Sequence, residues 1–97
     1  MHGILAAAIG LASIAAAAGM ASAEPPAGAA ACSGCHPTST RVISPVIRLN
    51  GLDQVRIVKA MEDFRSGNRP ATVMDRLSKG FTDAEIQAIA AWYASQR

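Results

Sequence analysis

Two cysteines stand three positions apart with a histidine directly after the second: Cys32-Ser33-Gly34-Cys35-His36. They are the only cysteines in the chain, and the C-x-x-C-H spacing is that of covalent haem attachment. Two intervening residues let one helical turn present both sulfurs to the two vinyl groups on one edge of the ring. A histidine one residue further on can then reach the iron from one face only. Ser33 and Gly34 are small, so the backbone can lie close against the ring. Such a pentapeptide obliges the rest of the chain to fold round a large, flat, apolar body.

Other uses of two neighbouring cysteines fit less well. A thioredoxin-like dithiol follows a strand inside a βαβ pattern, whereas here Ala27 to Ala31 precede the pair and no strand-like run follows. A disulfide between Cys32 and Cys35 would close too small a ring to add much stability. A zinc site needs more Cys or His ligands than remain, since His2 is the only other histidine.

Residues 3–20 are almost all Ala, Ile, Leu and Gly, and lead into Ala21-Ser22-Ala23 and then Glu24-Pro25-Pro26. This reads as a secretory signal peptide over residues 1–23 with an A-x-A cleavage site, although Met1-His2 carries no Lys or Arg. An uncleaved anchor is the alternative, because the run approaches spanning length; the alanine-rich composition and the cleavage pattern favour removal. Residues 24–97 then form a single domain, and after cleavage no membrane segment remains. Export implies the periplasm, where two free thiols pair, and thioether formation removes that outcome. A domain this small is marginal without a cofactor or cross-link. Its aromatic side chains are only Phe64, Phe81, Trp92 and Tyr93, so a covalent haem would supply apolar bulk that they cannot. All nine Lys and Arg lie after Ala23 together with all seven acidic residues, and no basic run points to nucleic acid.

The elements that can be read are all helical. Pro25 and Pro26 suit the first turn of a short helix over residues 27–35, which Pro37 stops. Residues 38–51 read as a loop ending in an Asn50-Gly51 turn. Its apolar members Val42, Ile43, Val46, Ile47 and Leu49 are expected to pack on the haem, since a strand there would have no partner. Leu52, Val55, Val58, Met61 and Phe64 recur at every third position and predict an amphipathic helix over 52–65, capped by Asp53 and closed by Gly67. The last helix opens on the capping box Thr82-Asp83-Ala84-Glu85, with Phe81 and Ile86 as a hydrophobic staple. Ile86, Ile89, Ala90 and Tyr93 form its apolar stripe, and Ala88, Ala91 and Ala94 would admit the alanine-rich first helix at close range. With a short helix near 75–79, the expected fold is all-α: three main helices and a short one wrapped around a covalently attached haem.

If His36 holds one axial position of the iron, the other position decides the chemistry. An open one allows oxygen or peroxide chemistry; a methionine thioether closes it and suits electron transfer. Outside the signal peptide only Met61 and Met74 remain. Met61 falls on the apolar stripe of the middle helix, where a core role is the default. Met74 follows the Pro70 break in Ala71-Thr72-Val73-Met74 and can swing to the iron face opposite His36, with gap-filling at the haem edge as its alternative.

The motif near the start of the exported chain, Met74 well downstream, and a closing capped helix with Trp92-Tyr93 together resemble a class I c-type cytochrome. Met61-Glu62-Asp63-Phe64-Arg65-Ser66-Gly67 and Thr72-Val73-Met74-Asp75-Arg76-Leu77-Ser78-Lys79-Gly80-Phe81 are similar to the monohaem cytochrome subunit of flavocytochrome c sulfide dehydrogenases. The resemblance implies one haem c, thioether attachment at Cys32 and Cys35, and axial ligation by His36 and Met74. It also implies that a proline carbonyl orients the histidine, for which Pro45 is the candidate, although Pro37-Thr38-Ser39-Thr40 stands where many relatives have glycine. The implied function is periplasmic one-electron transfer from a flavoprotein that oxidises sulfide, so that catalysis belongs to the partner and this chain is not itself an enzyme. A freestanding cytochrome and a haem enzyme or sensor with an open iron are the alternatives. Arg41, Arg48, Arg56, Lys59, Arg65, Arg69, Arg76 and Lys79 would form a basic docking rim or an ordinary solvated surface.

Overall fold

A computed structural model describes Gly3, residues 7–10, Ala12 and residues 24–97. The signal-peptide assignment falls mainly on residues outside those described. Every regular element among the described residues is helical, and no strand occurs: α1 (Ala29–Cys32), α2 (Gln54–Ser66), α3 (Met74–Leu77), a 3-10 turn (Ser78–Gly80) and α4 (Asp83–Ser95). Among these residues no helix is long and apolar enough to cross a membrane.

The helix ends follow their local chemistry. Gly67 closes α2 in the left-handed conformation, φ 81°, with its N–H donating to Phe64 O. Asp53 stands at the N-cap of α2, but its side chain makes no capping bond. The capping box of α4 is complete: Glu85 N–H donates to Thr82 Oγ1 at 3.1 Å, and Thr82 N–H donates to Glu85 Oε1 at 2.9 Å. The first helix is shorter than expected, a single turn that continues as non-helical turns to Cys35.

The core is small. Ala29, Ile57, Ile89, Ala90 and Tyr93 are buried together, and Leu49, Leu52, Val58, Phe81 and Trp92 pack partly buried around them. In α4 the buried residues are the four of the anticipated stripe. In α2 the anticipated face is rotated: Ile57 is its buried residue, while Val55 is 74% exposed. A strict three-residue spacing loses about 60° at each step against a 3.6-residue turn, so its members cannot all face one way. Helix α2 packs on both α4 and α3.

The first and last helices meet through very small groups. Ala29 and Ala90 are both fully buried, whereas Ala88 and Ala91, anticipated at this contact, are exposed. Gly28 has φ 86°, and a Cβ there would lie 2.6 Å from Phe81 Cε1 and 3.4 Å from Ile89 Cδ1. Only glycine admits both that backbone conformation and that approach. Tyr93 Oη, itself buried, donates to Ala29 O at 2.6 Å. The loop before α2 is fastened to the same helix by Gly51 N–H donating to Tyr93 O at 2.9 Å.

Candidate functional site

The segment from Cys32 to His36 is one tight turn. Both Cys35 N–H (3.2 Å) and His36 N–H (2.9 Å) donate to Cys32 O, so the two sulfurs and the imidazole leave the backbone within a single helical pitch. Both cysteines are free thiols; Cys35 is exposed and Cys32 half-buried. Cys32 Sγ donates to Gly28 O at 3.7 Å. Burial pushes the Cys32 thiol up from its ordinary value, partly offset by its backbone hydrogen bond and by Tyr93. Burial likewise raises the Tyr93 phenol, with Cys32 beside it adding to the effect.

The imidazole of His36 is held from behind. Its Nδ1 donates to Ile47 O at 2.6 Å. A carbonyl can only accept, so Nδ1 carries a proton, and in the neutral imidazole Nε2 is then the nitrogen with the lone pair. The carbonyl expected at this position was that of Pro45, which the structure corrects: Pro45 is exposed, and the acceptor lies two residues further along. The far end of the loop is pinned where Gly51 N–H donates to Tyr93 O, and within it the carbonyl of Ile47, not that of Pro45, meets Nδ1.

The loop between His36 and α2 presents apolar side chains outward. Val42, Ile43, Val46 and Ile47 are all exposed, Ile43 completely, and the loop borders an open groove of about 440 Å³. Met74 begins α3, half-buried, on a segment separate from the Cys32–His36 turn. Arg76 and Leu77 N–H both donate to Val73 O at 3.0 Å, which starts the turn at Met74. Of the anticipated basic rim, Lys59 pairs with Asp63, Arg65 with Asp83, and Arg69 lies 5.0 Å over the Phe64 ring. Among the described residues Arg41, Arg48, Arg56, Arg76 and Lys79 form no salt bridge.

No family model matches the chain. It is 37% identical over 65 residues to the cytochrome subunit of sulfide dehydrogenase from Chlorobaculum tepidum, covering 67% of this chain and 59% of that protein. It is 30% identical over 69 residues to cytochrome c-554(548) from Halomonas halodenitrificans, covering 67% of this chain and 83% of that one. The chain belongs to the class I c-type cytochromes. The cytochrome thus spans about three fifths of the length of the sulfide dehydrogenase subunit. Its cofactor is haem c and its role is electron transport.

The residues of the cytochrome suit that group. Two free thiols and an imidazole with an available Nε2 share one turn, and exposed apolar side chains follow on the next loop. Among the described residues three buried polar atoms, Asn50 Oδ1, Asp75 Oδ1 and Trp92 Nε1, have no hydrogen-bond partner, and buried polar groups of that kind are ordinarily satisfied by something. Sequence reasoning missed Ile47, because its function resides in a backbone carbonyl that any residue type can supply. It also missed Gly28, whose signal was present as the one glycine interrupting the alanine run before the motif.

Proposed function

We propose that this cytochrome carries single electrons in the periplasm through a haem c attached at Cys32 and Cys35 and ligated by His36 and Met74. The hydrogen bond from His36 Nδ1 to Ile47 O carries this reading. It sets the tautomer and fixes the ring plane, and it makes Nε2 a better donor. Haem c supplies a one-electron Fe(III)/Fe(II) couple. With His36, the Met74 thioether would hold the iron, favour its reduced state and so raise the potential. A core tied at Tyr93–Ala29 and Gly51–Tyr93 keeps the surrounding segments from reorganising when the charge changes.

The donor on this reading is a flavoprotein that oxidises sulfide, with catalysis on that partner and none on this chain. The similarity to a sulfide dehydrogenase cytochrome subunit supports it. The similarity to cytochrome c-554(548) supports a second reading, a freestanding carrier. Gel filtration of a gentle native extract, following haem and flavin absorbance together, separates the two. Co-elution of both at a size well above that of the 10.0 kDa chain, with haem reduced on adding sulfide, is the expected result. Haem eluting alone as a small monomer, unreduced by sulfide, would contradict the flavoprotein partner and leave the freestanding carrier.

A further inference from the structure

The segment that carries Met74 leaves the end of α2 and returns at the start of α4, and one side chain ties its two ends together. Arg65, in the last turn of α2, reaches across with both arms of its guanidinium. Nη1 donates to Asp83 Oδ1 at 2.5 Å and Nη2 to Phe81 O at 2.7 Å. The two contacts differ in weight. Asp83 is 88% exposed, and an ion pair to so exposed a carboxylate adds little. The bond to the Phe81 carbonyl is partly buried, where a charged donor counts for more. The outgoing end is secured separately by Arg69 N–H donating to Asp63 O at 3.2 Å. On the return side the Phe81 ring lies against Gly28, in the residue just before the helix of Cys32. Arg65 therefore connects both ends of the Met74 segment to each other and, through Phe81, to the helix that carries the attachment motif.

We infer that Arg65 is a positioning residue for the sixth iron ligand: by closing residues 67–82 at their base it keeps Met74 on the iron. This rests on Met74 being that ligand. A loop held closed at its base gains less conformational entropy on opening, so loss of the tie raises the fraction of molecules with Met74 displaced. An added ligand such as imidazole reads that fraction directly, because its apparent affinity scales with the population of the open form.

The test is a titration of the ferric holoprotein with imidazole, followed by its absorption spectrum, in the parent and five variants. Met74→Ala sets the fully open reference and binds most tightly. Arg65→Gln binds imidazole more tightly than the parent by on the order of tenfold, the size of effect that a charged hydrogen bond carries. Arg65→Lys, which keeps the charge but loses the fork, falls between the two. Asp83→Asn, which spares the Phe81 contact, changes the affinity by about threefold at most. Lys59→Gln removes one positive charge and an ion pair from the same helix and leaves the affinity at the parent value. Parent-like binding by Arg65→Gln and Arg65→Lys, with Met74→Ala binding tightly, would overturn the role of Arg65 alone. Equal tightening in Lys59→Gln would overturn it as a general charge effect. Parent-like binding by Met74→Ala would overturn the ligand assignment, and the inference with it.

Discussion

At Gly28 one backbone angle and one contact distance make the residue irreplaceable. Its φ of 86° costs an L-residue about 1–2 kcal/mol, and a Cβ would meet the Phe81 ring at 2.6 Å. Gly28→Ala is expected to lose at least that much stability in the holoprotein, measured by denaturant unfolding, and unchanged stability would contradict the packing described. At this scale the spacing of Cys32, Cys35 and His36 anticipated the single turn they share, and their part in haem attachment belongs to the proposed function. The group behind His36 was not legible. A carbonyl has no side-chain signature, and the resemblance pointed to a loop proline, Pro45, whereas Nδ1 meets the carbonyl of Ile47. For Met74 the sequence carried the side-chain chemistry but suggested a loop residue, whereas it begins α3, and Arg65, which ties the ends of that segment, looked like one of many surface cations.

Among the elements, α4 was the most legible, because its capping box and its stripe of Ile86, Ile89, Ala90 and Tyr93 state the same helix twice. The box also responds to pH. The Glu85 carboxyl is held below its ordinary value, first by the Thr82 backbone N–H and then by its side chain. A lowered folded-state pKa contributes stability that is complete above the ordinary carboxylate range and is lost as pH falls through the lowered value. Thr82→Ala is expected to cost about 1 kcal/mol at neutral pH. Glu85→Gln, which preserves the box in neutral form, should leave neutral stability nearly intact and flatten the acid-side loss; an unaltered acid limb would contradict the linkage. Helix α2 was legible in extent but not in orientation, since a run of apolar residues at intervals of three does not say which of them the neighbouring helices will cover. Ile57 answers to α4, and Val55 to neither.

For the whole molecule, the meeting of first and last helices was foreseen from composition. The particular alanines were not, because which small residue lies at a crossing depends on the relative rotation of two helices. That crossing and the Gly51–Tyr93 fastening join α1 and the loop that backs His36 to α4, and the Arg65 tie joins the end of α2 to the start of α4. On the proposed function both axial positions would be taken by His36 and Met74, and electrons would pass without ligand exchange. Carbon monoxide added to the reduced holoprotein at neutral pH tests this most directly, with Met74→Ala and Met61→Ala compared under the same conditions. The parent and Met61→Ala should remain spectrally unchanged while Met74→Ala binds the gas. Rapid binding by the parent, or an inert Met74→Ala beside a reactive Met61→Ala, would contradict the account.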